Sequence, residues 1–413
     1  MGKALDDIKK ELNNSPMYNL SLTSKELFHS NLLAWLGNTQ ATRAFFAEII
    51  KELTGICLNP KDNWKVERED KNFDLCVKEG KNYLLVIENK VKSIPKKKQL
   101  DEYVEKKVVD KNTKFLLLTL VNEFPYKDNV DIDKGKGGRW KIKTYKDLAN
   151  AMCLAMKRIP IPDNYYKSIL VDYIGFINNL NELVESWKVG INDVFAKTTD
   201  LKGLKKMSDL YAKIQYSSYC IEMQKKILGI ANDIEVYDWG TIPDKLDNSK
   251  IYILVDWGFA STRKEGLLDV AIPVTNLAHP KIQKGCAPPD YVIKIQVEGR
   301  TYCHVIESFE DPKIDLVTIG KSSPYTWPLQ WFVDSPASLS PASYGNDAIF
   351  DGTLFPEKHT RRVKAWPFKS YENKKFKKIS FIYQNKILKE GVKANDVLEN
   401  IVKEVNILIN GLS

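Results

Sequence analysis

The stretch YLLVIENKVK, residues 83–92, constrains this chain more than any other. Five β-forming apolar residues run into a carboxylate and two cations, and Glu88 and Lys90, two apart, fall on one face of the strand. A run this apolar belongs inside a fold, where a charge must be desolvated unless it meets a partner or a metal. The preceding β-rich run, NFDLCV, is separated from it by a Glu79–Asn82 turn containing Gly80, so the two read as a hairpin. With the turn near Gly80, Asp74 falls about opposite Val86 and Glu88 is its diagonal neighbour, roughly 7 to 8 Å away at Cα. The chain holds five E-x-K triplets, beginning at Glu69, Glu79, Glu88, Glu105 and Glu372. Only the third closes such a strand.

The flanking elements set the fold class. LTSKELFHSNLLAWLGNTQATRAFFAEIIKELTG has apolar residues at helical spacing, giving one long helix or two with a break near Gly37, and Gly55 as a stop. WKVERED is a short strand, Lys96 to Lys107 is helix-compatible, KFLLLTLV is a buried strand and YKDLANAMCLAMKRI an amphipathic helix. Helix, hairpin, helix, strand, helix makes an α/β domain, placed over residues 1–160. The glycine-rich DNVDIDKGKGGRW lacks phosphate-cradle spacing and reads as a flexible connection. Residues 161–232 form a helical connecting region. From Asp233 short β-like runs separated by turn residues predict a β-rich α+β domain over 233–413, closed by a strand or strand pair in KKISFIYQNKIL and a helix in ANDVLENIVKEVNILI.

At 413 residues, two or three domains are expected. No apolar stretch reaches the roughly 18 to 20 residues that span a bilayer, and the charged N-terminus has no signal-peptide core, so a cytoplasmic protein with no membrane partner is expected. Six scattered cysteines without a CxxC pair read as reduced core residues, and four dispersed histidines offer no zinc-binding spacing. His29 reads as a packing residue. No G-x-S-x-G or recognisable cysteine motif supports nucleophilic catalysis.

A carboxylate pair and a lysine on a sheet suit metal-assisted phosphodiester hydrolysis. Mg2+ favours oxygen ligands and keeps waters, so one or two carboxylates plus a substrate phosphate complete its shell. A nearby ammonium orients the attacking water or steadies the added negative charge. The pieces ELFHSNLLAWL, FDL, IENK and QLDEY, in that order over residues 20–125, resemble the PD-(D/E)XK nuclease superfamily, in particular a branch with an IENK motif and a following QxxxY helix. The resemblance implies a restriction-endonuclease-like mixed sheet flanked by helices. It implies that Asp74 and Glu88 ligate Mg2+, with Mn2+ as a substitute, that Glu26 helps complete the metal site, and that Lys90 assists the water. Gln99 and Tyr103 match the QxxxY pair and share a helical face. Phe73 stands where the named motif has proline.

Each residue also has a structural reading. Thr23 and Glu26 form a ready capping box, Asp74 can end a strand, Lys90 opens a solvated basic run, and Tyr103 can be half-buried packing. In the second domain Asp269 and Glu298 echo the first hairpin, a likeness read as coincidence.

The net charge is +9, and RRVKAWPFKSYENKKFKK, residues 361–378, carries eight Lys and Arg against one Glu. Arg361, Arg362, Lys364, Trp366, Lys369, Lys374 and Lys375 interleave cations with aromatics, as a stacking and phosphate-binding surface would; the alternative is a basic loop whose aromatics pack inward. The function expected is a metal-dependent nuclease, a DNA endonuclease in a defence or restriction setting by the resemblance, with a homodimer as one arrangement for cutting two strands. The alternative is a non-catalytic nucleic-acid or protein binding module on the same fold.

Overall fold

The hydrophobic patterning resolves into helices and two sheets in a computed structural model that describes residues 3–21, 25–91, 93–94, 97–104, 112–123, 140–199, 204, 207–237, 250–260, 265–274, 291–308, 353–355, 362–366 and 380–410. The chain divides into two compact units, residues 1–188 with 200–214 and residues 189–199 with 215–413.

The first unit opens with helices α1 (Leu5–Asn14), α2 (Pro16–Ser21), α3 (Lys25–Asn38) and α4 (Arg43–Thr54). The expected break falls just after Gly37, and its cause is local. Asn38 donates from Nδ2 to the Val66 carbonyl at 2.7 Å and accepts from the Val66 amide at 3.0 Å, which occupies a backbone edge that would otherwise be open. Gly37 lets the helix approach that strand, because a Cβ there would lie 2.4 Å from Val66 Cγ2. Arg43 then fixes the turn, its guanidinium 3.4 Å above the Trp64 ring and donating to the carbonyls of Gly37 and Pro60. Helix α4 stops at Gly55, which takes a left-handed φ of 81°.

Strands β1 (Trp64–Asp70), β2 (Phe73–Glu79) and β3 (Asn82–Lys90) form an antiparallel meander. Beyond β3 the sheet turns parallel through β4 (Lys114–Thr119) and β5 (Trp140–Thr144), giving the order β1-β2-β3-β4-β5. Helix α5 (Lys97–Val104) links β3 toward β4, and α6 (Tyr145–Arg158) and α7 (Asn164–Ser186) follow β5. The Thr144 side chain accepts from the Asp147 amide and the Asp147 carboxylate accepts from the Thr144 amide, a capping box that starts α6. Strand β5 carries no apolar run: WKIKT buries Trp140 alone, which is why it reads as part of a loop in sequence. Residues 128–139 of that glycine-rich connection lie outside the described residues. Central strand β3 is buried over its last six residues, as its composition requires. The architecture is the expected mixed sheet flanked by helices.

In the second unit, helix α8 (Ser208–Leu228), whose residues from 215 onward belong here, precedes strands β6 (Ile234–Tyr237), β7 (Ile251–Ala260), β8 (Glu265–Val274), β9 (Tyr291–Glu298), β10 (Thr301–Ser308), β11 (Arg362–Trp366) and β12 (Ser380–Ile387), closed by α9 (Ala394–Asn410). They build a seven-stranded sheet in the order β11-β12-β10-β9-β8-β7-β6, antiparallel except for β6 and β7. KKISFIYQNKIL is thus one strand. Helix α9 is tied to β10 by a buried network: Glu404 accepts from Tyr302 Oη at 3.1 Å, pairs with His304 Nε2 at 2.7 Å and accepts from Asn400 at 3.0 Å. Asp269 accepts from Gln296 at 2.9 Å and lies 4.0 Å from the Lys294 ammonium, an ion pair within this sheet. No helix among the described residues is long and apolar enough to cross a membrane. None of the five described cysteines is in a disulfide, but Cys57 and Cys153 are exposed, which corrects their reading as core residues.

Candidate active site

The β2–β3 hairpin brings its carboxylates closer than the sequence suggests. Glu79 pairs with Asn82 and Lys78 with Tyr83, but Val77 pairs with Leu85, so one extra residue, Leu84, bulges from β3. The ladder continues through Cys76–Val86 to Leu75–Ile87, and its next step faces Asp74 with Glu88, correcting the expected Asp74–Val86 pairing. Two shifts combine: the turn centres between Gly80 and Lys81, and the bulge adds a residue. Past Leu75 a side chain replaces the ladder, as Asp74 Oδ2 accepts from the Asn89 amide at 2.8 Å.

Glu88 is 1% exposed and Lys90 8%. Lys90 Nζ lies 2.7 Å from Glu88 Oε1, and Gln99 Nε2 donates to the same oxygen at 3.1 Å and to Tyr103 Oη at 3.0 Å. The QxxxY face of α5 therefore does reach the carboxylate. Tyr103 is also buried packing, with its ring 5.3 Å from Phe73 between centroids. Glu26 at the start of α3 accepts from the Val91 amide at 3.3 Å and from the Ser93 hydroxyl, pinning the turn that follows IENK. Its charge is felt by both Asp74 and Lys90. Thr23, the partner in the alternative capping box, lies outside the described residues.

Burial dominates the electrostatics. It pushes Glu88 up to about 7, with the Asp74 charge adding to the rise and Lys90 opposing it. Asp74 is raised by burial as well, against the Asn89 amide and Lys90, which favour its anion. Lys90 is raised despite burial, because Glu88, Glu26 and Asp74 all favour the ammonium. Glu88 Oε2 is buried and has no hydrogen-bond donor. Two carboxylates raised by burial, one of them with an unsatisfied oxygen, could hold a divalent cation, with Asp74 and Glu88 nearest to it and Glu26 at longer range.

A second acidic group fits one poorly. Glu67, Asp70 and Cys76 offer ligand atoms within 4.8 Å of one another, yet Lys78 already bridges Glu67 at 2.8 Å and Asp70 at 2.9 Å. Burial pushes the Cys76 thiol up to about 12, away from the thiolate a metal needs. Lys78 fills that site.

His29 is fully buried, bonding Tyr173 Oη through Nδ1 at 2.8 Å and stacking on Phe176, a packing role. Of the basic segment, Arg361, Lys369, Lys374 and Lys375 lie outside the described residues. Arg362, Lys364 and Trp366 stand on edge strand β11, opposite Asn385, Tyr383 and Phe381 of β12. Asn89 is a spacer in the IENK motif and Ser93 belongs to no motif; the trace Asn89 leaves in the sequence is an asparagine in a strand, where that residue is disfavoured.

Residues 17–175 match the model of the PD-(D/E)XK nuclease superfamily. Over this stretch, well under half of the chain, the protein is similar to that superfamily. The match takes in the whole five-stranded sheet and Glu26, Asp74, Glu88, Lys90, Gln99 and Tyr103. No curated protein and no solved structure gives a significant match to the chain. Similarity to the PD-(D/E)XK superfamily supports a nuclease-type function, and that family implies nucleic acid as substrate and a divalent metal as cofactor.

Proposed function

We propose that the protein is a Mg2+-dependent DNA endonuclease whose first unit cuts and whose second unit, through the basic aromatic segment around β11, holds the nucleic acid. The observation that carries this reading is the Asp74–Glu88–Lys90 arrangement, a half-buried and a buried carboxylate side by side with an ammonium 2.7 Å from the latter. Asp74 and Glu88 would hold the ion, with Glu26 completing its surroundings. When bound, the ion supplies Lewis-acid polarisation of a phosphoryl oxygen and a more acidic water. Lys90 is held as an ammonium by three carboxylates, so it acts as a donor: it orients the attacking water and offsets charge gathering on the phosphate, and does not remove the proton itself. Gln99 fixes the Glu88 oxygen that Lys90 also touches, which leaves Oε2 as the carboxylate atom without a partner. Tyr103 holds Gln99 in place.

The surplus of nine positive charges favours a polyanionic substrate. DNA, and a defence or restriction role, rest on the family resemblance. Cleavage of double-stranded DNA, single-stranded DNA and RNA with Mg2+ or Mn2+, comparing wild type with Asp74→Ala and Lys90→Ala, tests the reading. It expects wild type to cut DNA and both variants to be silent. Loss of all cleavage in wild type, or variants that cut equally well, would leave the non-catalytic binding module.

A further inference from the structure

The residue inside the IENK motif, Asn89, has its own task. By strand alternation its side chain leaves the face that carries Glu88 and Lys90, and it is 0% exposed. There Asn89 Nδ2 donates to Ser30 Oγ of α3 at 2.6 Å, and Asn89 Oδ1 accepts from Tyr145 Oη of α6 at 3.3 Å. Ser30 in turn donates to the Glu26 carbonyl at 3.2 Å, which fixes the direction of its lone pairs. Tyr145 is itself wedged against the His29 ring, at 4.9 Å between centroids. The Asn89 backbone amide meanwhile donates to Asp74 Oδ2 at 2.8 Å.

We propose that Asn89 is a positioning residue: bonds to two different helices on one side of the sheet fix the rotation of its peptide, and that peptide sets the Asp74 carboxylate for metal binding on the other. The inference rests on the nuclease reading of Asp74 and Glu88. A role in folding alone would be met by an apolar residue, as at Ile87 on the same face, because a buried amide left without partners is destabilising. The asparagine adds direction. The β2–β3 ladder ends at Leu75–Ile87, and beyond it the Asn89 amide is the backbone donor that ties Asp74 to β3 where the carboxylates meet.

The test measures Mn2+ binding to the full chain without nucleic acid, by electron paramagnetic resonance, beside cleavage as a function of metal concentration and KM for the nucleic acid. Asn89→Leu removes both helix bonds while keeping the volume, and Ser30→Ala removes one acceptor without touching β3. Folding of each is checked by circular dichroism. The expected result is Mn2+ affinity weakened about 10- to 100-fold in Asn89→Leu and less in Ser30→Ala, with KM unchanged and cleavage recovering at high metal. A purely structural role would lower thermal stability and leave the metal affinity of the folded protein alone. If Asn89→Leu does not fold, Ser30→Ala decides by the same criterion. Wild-type Mn2+ affinity in a folded variant overturns the positioning role and leaves the nuclease reading standing; no Mn2+ binding by wild type overturns both.

Discussion

Acidification should strip the metal from this site at a pH where ordinary carboxylates still bind. Burial raises Glu88 from 4.5 to about 7, so the metal-free protein holds a proton there that must leave before an ion can enter. Below pH 7 each further unit therefore weakens apparent metal affinity about tenfold, and Asp74, also raised, steepens the loss at the acid end. The same shift sets a stability term of known sign. A carboxyl with a raised folded-state pKa stabilises the fold below its unfolded value, and the contribution disappears as pH rises through the folded value. Glu88 accordingly withdraws on the order of 3 kcal/mol from the metal-free first unit between about pH 4.5 and pH 8, and bound metal restores it. Mn2+ titrations at pH 8, 7, 6 and 5.5, with and without thermal unfolding, read both effects. Glu88→Gln should remove the pH dependence near 7 together with most of the binding, leaving only the acid-end loss from Asp74. Equal Mn2+ affinity at pH 6 and pH 8 in wild type would refute the reasoning.

Lys90→Met removes the main charge opposing the rise of Glu88; we expect the midpoint for Mn2+ binding to move above about 7 and kcat to fall roughly 100- to 1000-fold, read from pH-resolved cleavage kinetics. Gly37→Ala places a Cβ 2.4 Å from Val66 Cγ2 and should destabilise the first unit by about 1 to 3 kcal/mol in urea unfolding. Glu404→Leu removes the acceptor shared by Tyr302, His304 and Asn400 and should cost the second unit about 2 to 4 kcal/mol, seen as an earlier unfolding transition with metal binding unchanged.

What the sequence discloses follows from which physics leaves a periodic trace. The hairpin, the buried β4 strand and helices α3, α4, α6 and α7 stand out because burial demands apolar residues at fixed spacing, and so do the carboxylates set in the hairpin. Strand β5 escapes because its neighbours supply the burial and only Trp140 is asked to be apolar. The Asp74–Glu88 register escapes because a bulge at Leu84 has no composition of its own. Asn89 is hidden in plain view: in the motif it is a spacer, and its partners Ser30 and Tyr145 lie 59 and 56 residues away in the chain. The basic run at 361–378 promised a surface of cations and aromatics, while its first part is also an edge strand, two uses that one composition can serve.

The central claim is that Asp74 and Glu88 together hold the ion. A crystal of the wild-type protein soaked in Mn2+ near pH 8 and measured at the manganese absorption edge tests it most directly. The account predicts an anomalous peak in contact with Asp74 and Glu88 Oε2, absent from Asp74→Ala. A peak at Glu67 and Asp70 instead, or an undisturbed Asp74–Glu88 pair with no peak beside it, would contradict it.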